Sequence, residues 1–118
     1  EYDSITLTGI KVRNNSTTYV PLELNDSYYQ QLQSCVGISG PSNILIIFQD
    51  TDIRDYPGNA GLAYFDTNLI IVRIGSPNPD YVFQPIIKHE LLHLFFTSTG
   101  LSAQQNTAHY SLLFKLCL

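Results

Sequence analysis

The chain lacks methionine altogether, at position 1 as elsewhere, and we therefore expect a processed product or an excised domain. Basic residues are scarce: six lysines and arginines stand against ten acidic residues, for a net charge of −4. Without a basic cluster, direct binding to nucleic acid is not expected. No apolar run is long enough to cross a bilayer, because ionisable residues interrupt the most apolar segment near position 90. We therefore expect neither a nucleic acid nor a membrane as a partner.

Repeats, low-complexity tracts and linkers are also absent from the sequence. Hydrophobic residues make up 44% of the 118 residues and charged residues 14%, a balance that leaves little room for disorder. A chain of this length can bury a real core. We expect a single domain spanning residues 1–118, most simply a monomer.

The hydrophobic pattern changes between strand and helix signals along the chain, as in an α+β fold. Strands are predicted at residues 5–12, 44–48, 61–65 and 69–74, the last two as a hairpin. Helices are predicted at residues 24–36, at 86–96 and from about residue 109 onward. The expected architecture is a mixed sheet of about four strands packed on one buried helix, with two further helices.

Histidine is rare and unevenly distributed: His89, His93 and His109 all lie in the last third of the chain. The first two belong to the run HELLH at residues 89–93. On a helix, residues four apart project from the same face, so both imidazoles can bind one ion while Glu90 reaches water coordinated to it. Pro85 suits the first turn of such a helix. The pattern predicts one zinc ion per chain and zinc-assisted hydrolysis of a peptide bond.

A simpler interpretation is a buried helix whose histidines and glutamate are satisfied by neighbouring protein groups. Burying these ionisable groups is costly unless something pairs with them, and a dication is a natural partner. A catalytic zinc usually has three protein ligands and leaves its fourth position to water. Glu90 is the last acidic residue of the chain, so His109 remains as the candidate third ligand. The alternative for His109 is a packed or surface residue of a helix.

Residues 89–116 resemble the zincin metallopeptidases, which carry the same HExxH motif. The late His109, followed by Phe114, is similar to the SprT-like (Spartan-type) proteases, and segments 61–65 and 69–74 look like the strands that precede the active-site helix in archaemetzincins. The resemblance implies a small zincin-like fold and an endopeptidase in which Glu90 activates a zinc-bound water. A phenol near the metal would stabilise the oxyanion, and Tyr110 and Tyr64 are the two candidates for it.

In zincins an extended substrate pairs with an exposed sheet edge beside the metal. The resemblance therefore implies a peptide or protein substrate and makes the strand at residues 61–65 the candidate edge. An ordinary core strand is the alternative for this segment. The substrate-binding residues on it would be Gly61, Leu62, Ala63 and Tyr64, of which Tyr64 also offers a phenol.

The two cysteines, Cys35 and Cys117, are far apart in sequence. A disulfide between them would tie the C-terminal helix to an earlier helix and would favour a secreted protein or another oxidising compartment. Two small buried hydrophobic side chains are the alternative.

Two other functions also remain open. One is a structural or regulatory zinc protein, which would need a fourth protein ligand such as Cys117, and the other is a protease-derived peptide-binding module. Retention of Glu90 favours the peptidase over both, because neither alternative requires a base beside the metal.

Overall fold

The computed structural model describes residues 2–74, 84–98 and 112–118. Within these ranges the chain forms one five-stranded sheet and three helices, which confirms the predicted α+β class. The strands are β1 (Ser4–Ile5), β2 (Lys11–Asn15), β3 (Leu45–Gln49), β4 (Gly61–Tyr64) and β5 (Leu69–Arg73). The helices are α1 (Leu22–Val36), α2 (Gln84–Ser98) and α3 (Leu112–Cys117).

The sheet is mixed, with the strand order β1-β2-β3-β5-β4. Strands β2, β3 and β5 run parallel to one another, whereas β1 pairs antiparallel with β2 and β4 pairs antiparallel with β5. The hairpin predicted at residues 61–74 is thus confirmed, and β4 forms an edge of the sheet. Alternate residues of β3 and β5 point into the core beneath the helices, namely Ile46, Phe48, Ile70 and Val72.

The prediction of one strand over residues 5–12 is wrong, because the chain forms two short strands there with a tight turn between them. Gly9 has a φ of +91°, a left-handed conformation that favours glycine. Asp26 of α1 accepts hydrogen bonds from the Leu7 amide and the Thr8 hydroxyl, which fixes the turn against the helix. The alternation of residue types that is typical of a strand continues across this turn, so that pattern alone does not reveal the turn.

Helix α2 is buried on almost every side, as its sequence predicts. It packs against α1 on one side and against β4 and β5 on another. Its fully or nearly fully buried apolar side chains are Ile87, Leu91, Leu92, Leu94, Phe95 and Phe96. The two-layer arrangement therefore sets the HELLH segment directly beneath the sheet edge formed by β4.

A disulfide joins Cys35 in the last turn of α1 to Cys117 at the end of α3, with the two Cα atoms 5.7 Å apart. The predicted pairing is confirmed, and it closes a separation of 82 residues. The bond fastens the short α3 to the body of the domain. Among the described helices, none is both long and apolar enough to cross a membrane.

Candidate metal centre and active site

The two histidines of the motif project from the same face of α2, as their spacing requires. The Nε2 atoms of His89 and His93 are 3.2 Å apart. His93 is buried, with 6% of its surface exposed, whereas His89 is half-buried. The pair therefore brings two ring nitrogens close together at the border between the core and the surface.

The separation of the two nitrogens fits a shared zinc ion. Two nitrogen ligands at about 2.0–2.1 Å from a tetrahedral zinc lie about 3.3–3.4 Å from each other. The observed 3.2 Å also fits a hydrogen bond between two neutral imidazoles, one donating and one accepting. The donor set is the one zinc prefers, and a metal would let both rings use their lone pairs at once.

Glu90 lies beside the histidine pair and is 7% exposed. Loss of hydration in this apolar setting raises the pKa of its carboxyl group from 4.5 to about 7. A carboxyl group in this range can both take up and release a proton near neutral pH. Its position in the motif and its perturbed pKa agree with the role of a general base.

Gly61 of β4 lies in direct contact with the motif helix. A Cβ atom added at Gly61 would lie 2.6 Å from Cγ2 of Ile86 and 2.9 Å from Oε2 of Glu90. Real Cβ atoms do not approach other atoms this closely, so only glycine lets the strand pack at this distance. The lack of room for a side chain between β4 and α2 explains the glycine at this position, and its backbone conformation is an ordinary one. The missing side chain leaves the Glu90 carboxyl group beside the edge strand.

A cleft of about 400 Å³ lies between β4 and α2. Both histidines and the glutamate of the motif line it together with the edge strand; the full lining is Asn59, Gly61, Leu62, Ala63, Phe65, His89, Glu90 and His93. Three of the four predicted substrate-binding residues thus lie at the cleft. Tyr64 is exposed on β4 and is not among the lining residues. Sequence reasoning missed Asn59, which no motif marks, and it included Phe65 in the candidate edge segment without naming it as a substrate-binding residue.

The backbone of β4 has a defined orientation at the cleft. The amide of Arg73 donates a hydrogen bond to the Ala60 carbonyl, which makes this a hydrogen-bonded pair of the antiparallel ladder. Because such pairs alternate along a ladder, the N–H and C=O groups of Gly61 and Ala63 point away from β5. The outward edge of the strand therefore offers backbone donors and acceptors to an extended chain.

The candidate third ligand, His109, and the candidate oxyanion residue, Tyr110, lie outside the described residues. Within residues 2–74, 84–98 and 112–118, no group of three or more histidine, cysteine, aspartate or glutamate side chains could hold a metal ion. Cys117 is bonded to Cys35 and so is not a thiolate ligand. This removes the fourth ligand considered for a purely structural zinc site.

Helix α3 brings an aromatic ring to the histidines. The ring centroid of Phe114 lies 5.3 Å from that of His89 and 5.1 Å from that of His93. Phe65 directly follows β4, and its ring centroid lies 6.2 Å from that of His93. In the sequence, Phe114 entered only as the aromatic residue that follows His109 in the resemblance to SprT-like proteases, and spacing did not predict its contact with both imidazoles.

No protein-family model matches this chain, and no curated protein or solved structure matches it either. The resemblance to zincins therefore stays an expectation based on residues 89–93 and on their surroundings in sequence.

Proposed function

We propose that this protein is a zinc-dependent endopeptidase of the zincin type. One observation carries the proposal: His89, Glu90 and His93 line the same cleft as an edge strand of the sheet. A metal site, a buried base and a surface that pairs with extended chains are the three parts that peptide hydrolysis requires. The oxidising compartment suggested by the disulfide belongs to the same proposal.

His89 and His93 would hold the metal, and His109 is the proposed third ligand. Zinc bound there would lower the pKa of its coordinated water and would polarise the substrate carbonyl. The Nε2 separation of 3.2 Å supports this assignment, since two nitrogen ligands of one tetrahedral zinc lie about 3.3–3.4 Å apart. Three histidine ligands would leave one coordination position for water or substrate.

Glu90 would act as the proton carrier of the reaction. Its carboxylate takes a proton from the attacking water, and the resulting carboxylic acid returns that proton to the leaving amine. Burial raises the pKa of Glu90 to about 7 in the metal-free protein, and proton carriers work best when their pKa lies near the working pH.

The substrate would be an extended peptide that pairs with β4. The outward backbone groups of Gly61 and Ala63 supply the hydrogen bonds, which are independent of substrate sequence. Leu62 and Phe65 give the cleft apolar walls that favour apolar side chains of the substrate near the scissile bond. Tyr110 remains the proposed oxyanion donor.

The test compares zinc-loaded wild type with Glu90→Gln, which keeps the shape of the side chain and removes the base. Hydrolysis of an unfolded protein substrate should fall by about two or more orders of magnitude at equal zinc content. Glu23→Gln is a matched control, because Glu23 is exposed in the first turn of α1. Undiminished cleavage by Glu90→Gln would refute the role of Glu90. Peptide binding without any cleavage by wild type would favour the peptide-binding module instead.

A further inference from the structure

Phe114 contacts both imidazoles of the candidate metal centre with one ring. The ring is 1% exposed, lies edge-on to His89 with an interplanar angle of 76°, and is tilted against His93 by 53°. It also packs against Phe96 of α2 at 5.5 Å. No ligand atom comes from this side chain, so any effect it has on metal binding must act through the two histidines.

To bind a metal, an imidazole must not only be present but also be turned so that its nitrogen faces the ion. The terminal torsion of histidine is broad, so a ring without close neighbours samples several orientations. Neighbours that fix a ligand ring reduce the entropy lost on metal binding, and removing the hydrogen-bonded outer-shell groups that orient ligand histidines typically weakens metal affinity by tenfold or more. Phe114 restricts both rings at once, because each lies within van der Waals packing range of it.

Phe114 is in turn held in place by the disulfide. Helix α3 has six residues and is too short to be stable in isolation. Cys117 lies one turn after Phe114 on this helix, is 2% exposed, and is bonded to Cys35 of α1. Cys35 is exposed, so a thiol reductant can reach the bond from the α1 side.

We propose that Phe114 is a positioning residue for His89 and His93, and that the Cys35–Cys117 disulfide holds it there, which makes metal affinity dependent on redox state. This inference rests on the proposed zinc site. A dithiol reductant would transfer two electrons and two protons to the bond, giving two cysteine thiols and the oxidised, cyclic form of the reductant. Loosening of α3 then frees both imidazoles without disturbing the sheet.

The experiment measures the zinc dissociation constant by chelator competition and the absorption spectrum of the cobalt-substituted protein. Phe114→Leu, with the disulfide intact, should bind zinc about tenfold or more weakly than wild type and should show an altered cobalt spectrum. Leu116→Ala is the matched control, since Leu116 lies on the same helix and is 68% exposed. That control should match wild type in both measurements.

A second variant guards against misfolding of Phe114→Leu. The double variant Cys35→Ser, Cys117→Ser removes the tether without adding thiols, which themselves bind zinc, and should weaken zinc binding in the same direction. Wild-type zinc affinity and cobalt spectra in Phe114→Leu or in the double variant would overturn the inference, even if melting temperatures fall. Absence of zinc binding by wild type would instead overturn the proposed function, and this inference with it.

Discussion

Replacement of Glu90 by glutamine should change how the stability of the metal-free protein depends on pH. The substitution keeps the size and shape of a side chain that is 7% exposed and removes its ability to ionise. In the folded protein, burial raises the pKa of Glu90 from its ordinary value of 4.5 to about 7. The folded state therefore retains a proton that the unfolded chain loses on going from acid to neutral pH.

The sign and size of the effect follow from proton linkage. Below pH 4.5 the carboxyl group is protonated in both states and contributes nothing. Between pH 4.5 and about 7 the folded state binds more protons than the unfolded state, so stability falls as pH rises. At about 1.4 kcal/mol per pH unit, the full loss is about 3 kcal/mol and is complete above the folded pKa. Glutamine has no such loss.

Urea unfolding of chelator-treated wild type and Glu90→Gln, from pH 5 to pH 8, measures this difference. The advantage of the variant should grow by about 2–3 kcal/mol over that range. Both proteins carry the same histidines, so their titration largely cancels in the comparison. The exposed Glu23→Gln variant shows what an amide substitution does at the surface. A constant difference between wild type and Glu90→Gln at all pH values would refute the buried, raised-pKa carboxyl group.

Three further tests probe neighbouring parts of the site. Gly61→Ala should destabilise the fold by about 1–3 kcal/mol and impair hydrolysis, because the added methyl group would overlap α2. Gly58→Ala is the control: a Cβ atom there has nothing within 4 Å, so thermal unfolding should not change. Elemental analysis should show zinc loss in His93→Ala and also in His109→Ala; full occupancy in the latter would remove that residue from the ligand set. Ala63→Pro removes an amide directed away from β5, so KM for peptides should rise while the sheet is kept, and an unchanged KM would place the substrate elsewhere.

The elements around the motif were predictable because their signals are local. An apolar pattern on nearly every face predicts a buried helix, and α2 is one. Two β-rich runs separated by three polar residues, 66–68, predict the hairpin of β4 and β5. The split of residues 5–12 into β1 and β2 was missed because it depends on Asp26, a residue of a later helix.

The approach of the two motif histidines was predictable from the sequence, and the contacts that surround them were not. The spacing of His89 and His93 alone dictates that their rings meet on one face of a helix. The contacts of Gly61 with Glu90 and of Phe114 with the histidines arise from packing between distant segments, which no local pattern encodes. With only two cysteines in the chain, Cys35 could pair only with Cys117. Whether the disulfide forms depends on the approach of α1 and α3, which the sequence does not reveal.

Anomalous diffraction at the zinc edge, on crystals of the zinc-loaded protein, tests the proposed metal centre most directly. We expect one anomalous peak within about 2.1 Å of Nε2 of both His89 and His93, with a coordination position open to the cleft beside Glu90. A third ligand from His109 should complete the protein contribution. No peak at the histidine pair, or a peak enclosed by four protein ligands, would contradict a catalytic zinc site in this protein.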